Sequence, residues 1–269
     1  MTTASLAHGD VSVSAPAAPL LAVAVLAAGY LALAVRQHSR GTWNPWRTAS
    51  FLAGCALLAI ALAPRLLPYP AGDFRGHMLQ HLLIGMFAPL GLVLGAPVTL
   101  VLRSLPRRHG RLIGRVLRSR PAHLVANPVT ALVLNLGGLA ALYGTGLYAT
   151  TTDSKPLHHL VHLHFLAAGY LFAWVIAGPD PAPRRPSVPA RLVVLGVAIA
   201  VHAGLSQLLY AGALVHIPAP LDQIRTGAEL MYYGGDFAEL LLALALITTW
   251  RPSRAGRRPV ASSSELVQN

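Results

Sequence analysis

The chain has 269 residues, 54% of them hydrophobic and only 11% charged, with a formal net charge of +12. A soluble domain carries about 25% charged residues, and the shortage here extends from Ala17 to Trp250, which excludes a soluble domain held by one anchor. A single cysteine, Cys55, excludes an intrachain disulfide and a thiolate cluster.

A spanning helix needs roughly 20 mostly apolar residues at about 1.5 Å rise each. Seven runs meet that requirement, near 17–35, 48–67, 77–102, 128–149, 158–177, 190–212 and 229–250. Met1 to Asp10 holds no Lys or Arg, and Arg36 and Arg40 follow the first run, so it is expected to stay as the first helix rather than be cleaved. The third run is long enough to tilt, and Pro89 and Pro97 give it reasons to kink. Proline- and arginine-rich connections separate the runs, as in residues 178–186. No internal repeat is visible.

Loop charge gives an independent reading. Arg36, Arg40 and Arg47, the seven arginines from Arg103 to Arg120, then Arg184, Arg185, Arg191 and four more from Arg251 to Arg258 fall in alternate segments. The opposite side receives only Arg65, Arg75, Lys155 and Arg225, so 17 of the 21 basic residues share one side. The positive-inside rule assigns that side to the cytoplasm. The expected fold is all-α, a polytopic membrane bundle of seven transmembrane helices with the N-terminus outside and the C-terminus cytoplasmic. Residues 1–16 form an outer tail, 17–250 the transmembrane domain and 251–269 a cytoplasmic basic tail. The basic excess is then a topology signal with attraction to the lipid bilayer, and nucleic acid is not an expected partner.

With the sides assigned, the histidines sort by position. His38, His109 and His123 lie among arginines and read as solvated surface, while His8 and His216 lie in outer segments. His77 and His81 open the third helix, four residues apart and on one face, with Met78 beside them. His158 and His162 repeat that spacing in the fifth. At about 100° per residue His158, His159 and His162 share a wedge that His164 leaves. Polar groups at such depth normally face the bundle interior. Two helices presenting paired imidazoles at one level can build a metal site. Imidazole suits copper, zinc, iron and nickel, and thioethers such as Met78 and Met231 add a preference for Cu(I).

A second polar stripe runs through His202, Ser206 and Tyr210 of the sixth helix. In the seventh, Glu229, Tyr232, Tyr233 and Asp236 share an arc with Glu239 at its margin. Asp236 and Glu239 are expected in hydrocarbon, where an uncompensated carboxylate costs about 2.5–3.5 kcal/mol, so protonation or a partner is expected. This stripe reads either as a metal-attracting or proton-accepting lining or as an interhelical hydrogen-bond clamp. Cys55 reads as packing, distant in depth from the histidines. Walker, Rossmann and Gly-x-Ser-x-Gly patterns are missing from the sequence, and no enzymatic role is expected.

The stretch His77-Met78-Leu79-Gln80-His81, followed by Ala88-Pro89-Leu90 and Leu94-Gly95-Ala96-Pro97, resembles the seven-helix CtaG family of cytochrome c oxidase assembly factors. So do His158 to His164 with Gly169 to Trp174, the segment His202 to Tyr210, and Met231 with Gly234-Gly235-Asp236. The resemblance covers roughly residues 45–250. It implies a role in maturing a haem–copper oxidase in the bacterial cytoplasmic (inner) membrane, by helping copper, as Cu(I), reach the oxidase catalytic subunit. On matching positions it carries over His77, His81, His158 and His162 as copper ligands, with His202 and Met78 next and Asp236 last. Cu(I) would arrive from the periplasmic side and bind between the third and fifth helices. Affinity would fall as pH drops through the histidine range near 6.5. A periplasmic copper donor and a second copy of the chain are further candidate partners. Copper import and b-type haem ligation for electron transfer are the competing readings.

Overall fold

A computed structural model describes residues 17–183, 185–213 and 216–249. The tails expected at 1–16 and 251–269, with His8, lie outside the described residues. Those that are described form helices only. In chain order they are α1 (Ala17–His38), α2 (Pro45–Leu62), α3 (Phe74–Leu82), α4 (Ala88–Leu94), α5 (Pro97–Ser104) and α6 (Arg107–Leu117). After these come α7 (Arg120–Val125), α8 (Pro128–Gly144), α9 (Leu147–Asp153), α10 (Lys155–Ala177), α11 (Val188–Tyr210) and α12 (Leu221–Thr249). Single 3₁₀ and π turns occupy Pro64–Leu66 and Leu83–Phe87.

Short polar-proline signals start several of these helices. Asn44 accepts the Trp46 amide ahead of α2 and Asn127 the Val129 amide ahead of α8, each at 2.9 Å with proline next in sequence. Such a side chain satisfies an amide the first turn leaves unpaired, and proline has none to lose.

Six stretches are long and apolar enough to cross a membrane: α1, α2, Phe74–Ser104, α10, α11 and α12. The architecture is that of a multi-pass membrane protein. The fourth expected span, near 128–149, is a broken one. α8 and α9 meet at a 78° bend, so the count is seven only if that pair is one span. The apolar run continues to Ala149, but Thr145 between Gly144 and Gly146 is fully extended (φ −125°, ψ 179°) and ends the helix. Tyr148 of α9 then packs edge-on to Phe74, with ring centroids 5.5 Å apart.

Phe74–Ser104 is the most enclosed span and α1 the least. Both expected kinks in it are present. Pro89 has no amide for the carbonyl of Gly85, four residues earlier, and the helix widens just before it, with the Ala88 amide bonding to Leu83 O across Leu83–Phe87. Ahead of Pro97, Ala96 adopts a left-handed conformation (φ 51°).

Neighbouring helices approach through glycines, as close packing within a bilayer favours. A Cβ at Gly91 of α4 would stand 2.9 Å from Gly54 Cα of α2, and Ser50 Oγ donates to Gly91 O at 2.9 Å. A Cβ at Gly169 of α10 would overlap the freed Gly85 carbonyl oxygen and stand 3.2 Å from Pro89 Cγ. On α12, Gly227 receives the ring of Phe74 and Gly234 receives Leu82. Cys55 is buried in the core beside α4, as its packing reading expects.

Arginine-rich segments meet at the end of the bundle away from Phe74. Arg103 Nη1 donates to Thr42 O at 2.7 Å, and Arg47 and Arg103 both stack on Trp43. At the same end Asp180, 1% exposed, reaches from the proline-rich connection to cap α5. Its carboxylate accepts the amides of Val98 (3.0 Å) and Thr99 (2.7 Å) and the Thr99 hydroxyl (2.6 Å).

Candidate metal-handling site

The opposite end of the bundle holds the histidine clusters. Asp73 caps α3 by accepting the Arg75 amide at 2.9 Å, and Phe74 N donates to Gln223 Oε1 of α12 at 3.3 Å. These contacts fix the start of α3 and the rotation of its face. The Arg75 guanidinium beside Asp73, 2.6 Å away, also holds that carboxyl below the usual carboxylate range.

His77, one turn in from Asp73, packs between Phe74 and Tyr148, the Tyr148 ring edge-on at 4.8 Å between centroids. Its Nε2 lies 3.2 Å from the hydroxyl of Tyr143, which donates to Met78 Sδ at 3.8 Å. His81 lies one turn deeper, 7% exposed, packed edge-on against Phe165 of α10 (4.7 Å).

On α10, His158 and His162 sit with ring centroids 4.2 Å apart, and His159 is exposed. His164 leaves the cluster, as its angular position requires, and contacts the Leu134 carbonyl of α8 at 3.2 Å. On α11, His202 is 3% exposed and its ring fills the space of the side chain that Gly235 of α12 lacks.

These elements converge. His81 packs on Phe165 of α10, and its neighbour Leu82 lies against Gly234 of α12, next to the Gly235 that takes the His202 ring. Tyr148, between α8 and α10, packs on His77, and His162 stands beside His158 on α10. Of the sequence candidates, His77, His81, His158, His162 and His202 therefore share one region, bounded by α3, α10 and α11. Met78 and Met231 are both fully buried in the adjoining core.

Asp236 is only half-buried. The enclosed carboxylate is Glu239, 4% exposed, whose Oε2 has no hydrogen-bond partner among the described residues. Nor does the remaining polar arc of α12 line the histidine region. Glu229, Tyr232 and Tyr233 face Ser206, Gln207 and Tyr210 across an open groove of about 380 Å³. Tyr143 brings a polar contact and Tyr148 a ring contact to His77 that sequence reading missed. Their only signal was two tyrosines at the outer end of an apolar run.

The donor chemistry suits a soft cation in part. His81 Nδ1, His162 Nε2 and both nitrogens of His202 are buried without hydrogen-bond partners among the described residues. Buried polar atoms are normally paired, so four orphaned imidazole nitrogens on three helices are a costly arrangement without a ligand. Among the described residues, however, no group of three or more His, Cys, Asp or Glu side chains stands together in a geometry that could hold a metal ion. The region offers unpaired donors rather than an assembled cage.

The chain is similar to uncharacterized proteins of three mycobacteria. It is 34% identical over 261 residues to those of Mycobacterium bovis and Mycobacterium tuberculosis, an alignment covering 90% of this chain and 39% of each relative. With the Mycobacterium leprae protein the identity is 31% over 246 residues, covering 84% of this chain and 37% of the relative. The chain thus spans about two fifths of the length of the curated relatives it matches. No solved structure gives a significant match. The profile of the cytochrome c oxidase caa3 assembly factors matches residues 28–253, five sixths of the chain with all of the histidine-bearing helices, and the chain belongs to that family.

Proposed function

We propose that this protein assists assembly of a cytochrome c oxidase by holding Cu(I) as cargo among α3, α10 and α11 and releasing it to the oxidase catalytic subunit. The supporting observation is the set of buried, unpartnered imidazole nitrogens on His81, His162 and His202. Imidazole with neighbouring thioether favours a soft monovalent cation. An incompletely assembled donor set suits a site that must release its metal. His77 and His158 form the outer part of the path. On this reading the protein lies in the bacterial cytoplasmic membrane, histidine end outward and arginine-rich end inward, where a periplasmic donor can reach His158 and His159.

Glu239 favours a second reading, copper import. It lies one helical turn along α12 from the glycine that contacts His202, and its orphaned oxygen could continue a path past the histidines. Asp236 stands one turn from it and is a weaker candidate on this second path.

The test is a Cu(I) titration of the detergent-solubilised protein against a chromophoric chelator, beside the His77→Ala/His81→Ala variant. Binding that the variant loses while staying folded supports the proposal. Binding that survives the double change removes α3 from the site. A Soret band in the purified protein would turn the reading to haem.

A further inference from the structure

The arginine-rich end carries a feature that copper handling leaves unused. α6 follows α5 after Leu105 and Pro106, and α7 leads into α8, so α6 is tied at both ends to stretches of the membrane-spanning body. Its arginines at 111 and 115, with the capping Arg118, fall within about 60° of one another at 100° per residue, while Leu112, Ile113, Val116 and Leu117 occupy the other side. Leu112 and Val116 are 54% and 60% exposed. Seven arginines lie between Arg103 and Arg120, and no Asp or Glu occurs anywhere from 74 to 152.

Between α6 and the end of α5 runs an open groove of about 540 Å³, lined by Leu102, Leu105, Gly110, Arg111, Gly114 and Arg118. Gly110 and Gly114 leave its α6 wall bare of side chains. Among the described residues, a Cβ at Gly110 would come within 4 Å of Leu102 Cδ2 alone, at 3.8 Å, and one at Gly114 of the Arg118 guanidinium nitrogens alone, also at 3.8 Å. The groove thus has an apolar floor, an open backbone wall and two guanidinium groups at its rim.

We propose that this groove binds an anionic phospholipid, with Arg111 and Arg118 on the headgroup phosphate and an acyl chain along Leu102 and Leu105. Guanidinium groups match phosphate oxygens bidentately. A basic amphipathic helix lies naturally in the headgroup plane, and its tethering to spanning helices puts lipid, rather than a soluble anion, within reach. No carboxylate lies in the sequence from 74 to 152 to pair locally with these arginines.

The full-length protein in neutral detergent is titrated with fluorescent phosphatidylglycerol and, separately, phosphatidylcholine. Phosphatidylglycerol is expected to bind and phosphatidylcholine not. Arg111→Gln/Arg118→Gln is expected to weaken phosphatidylglycerol binding on the order of tenfold or more, while Arg36→Gln/Arg40→Gln, whose arginines do not line the groove, leaves it unchanged. Should the first variant misfold by circular dichroism, Gly114→Leu obstructs the groove with every arginine kept and is expected to weaken binding likewise. Equal binding of the two lipids, equal loss in the Arg36/Arg40 variant, retained binding in Gly114→Leu, or displacement by inorganic phosphate at equimolar concentration would each overturn the assignment.

Discussion

The hydroxyl of Tyr143 lies 3.2 Å from Nε2 of His77 and at the same time donates to Met78 Sδ. One phenol thereby touches two candidate ligands at once. Partners of this kind are worth 10–100-fold in metal affinity where tested. Tyr143→Phe is accordingly expected to change Cu(I) affinity by about tenfold with little effect on folding, read by chelator competition. The direction is informative: a loss marks Tyr143 as a support of the His77 imidazole, and a gain marks the freed Met78 sulfur.

His202 and Gly235 make a second pair whose coupling can be measured. A Cβ at Gly235 would stand 2.6 Å from His202 Nδ1, inside any tolerable contact. Gly235→Ala is expected to destabilise the protein by about 1–3 kcal/mol through overpacking. In the His202→Ala background the same change should cost much less, because the ring it displaces is gone. Thermal unfolding of the four proteins of this cycle reports the difference.

Asp180 joins the connection before α11 to the first turn of α5, 81 and 82 residues earlier in the chain. Asp180→Ala leaves the Val98 and Thr99 amides unpaired in a partly buried place and is expected to cost about 1–2 kcal/mol. Asp180→Asn, which keeps one acceptor, should cost less. Protease susceptibility at the arginine-rich end, compared between the two variants, checks the order.

A pH effect follows from Asp73. Its folded-state acidity is increased chiefly by hydrogen bonds from the Arg75 side chain, lowering the pKa below the ordinary 3.8. The unfolded chain therefore binds a proton more readily, and the contribution to stability is full above the ordinary value and lost as pH falls through the lowered one. Native protein and Asp73→Asn should differ by a constant amount near neutral pH and converge below about pH 4. Detergent unfolding curves across pH 2–7 measure that convergence.

Much of the fold was legible because hydropathy over a span is a long-range, redundant signal. The bounds of α10 and α11 fall within three residues of those expected, and the histidine wedge of α10, with His164 outside it, follows from helical angle alone. What failed was local. The α8–α9 bend is hidden in an unbroken apolar run and is held by the packing of Tyr148 on Phe74 and His77. α12 begins two turns before the expected 229 because its polar first turn supplies Gln223 to cap α3. The polar residues of α12 divide between two faces for a related reason. Gly227, Met231, Gly235, Ala238 and Leu242 mark the buried face, and Glu239 belongs to it, whereas the more conspicuous polar arc of Glu229, Tyr232 and Tyr233 lines the groove toward α11. Whether histidines on separate helices meet depends on helix order, which a single sequence does not encode. Only packing brings His81 toward His162 and His202.

The most direct test of the central claim is X-ray absorption at the copper edge on Cu(I)-loaded protein, compared with His81→Ala, His162→Ala and His202→Ala. Copper held among α3, α10 and α11 should show imidazole scattering that each of the three substitutions diminishes. Copper whose spectrum is the same in all three variants, or shows oxygen ligation only, would contradict the account.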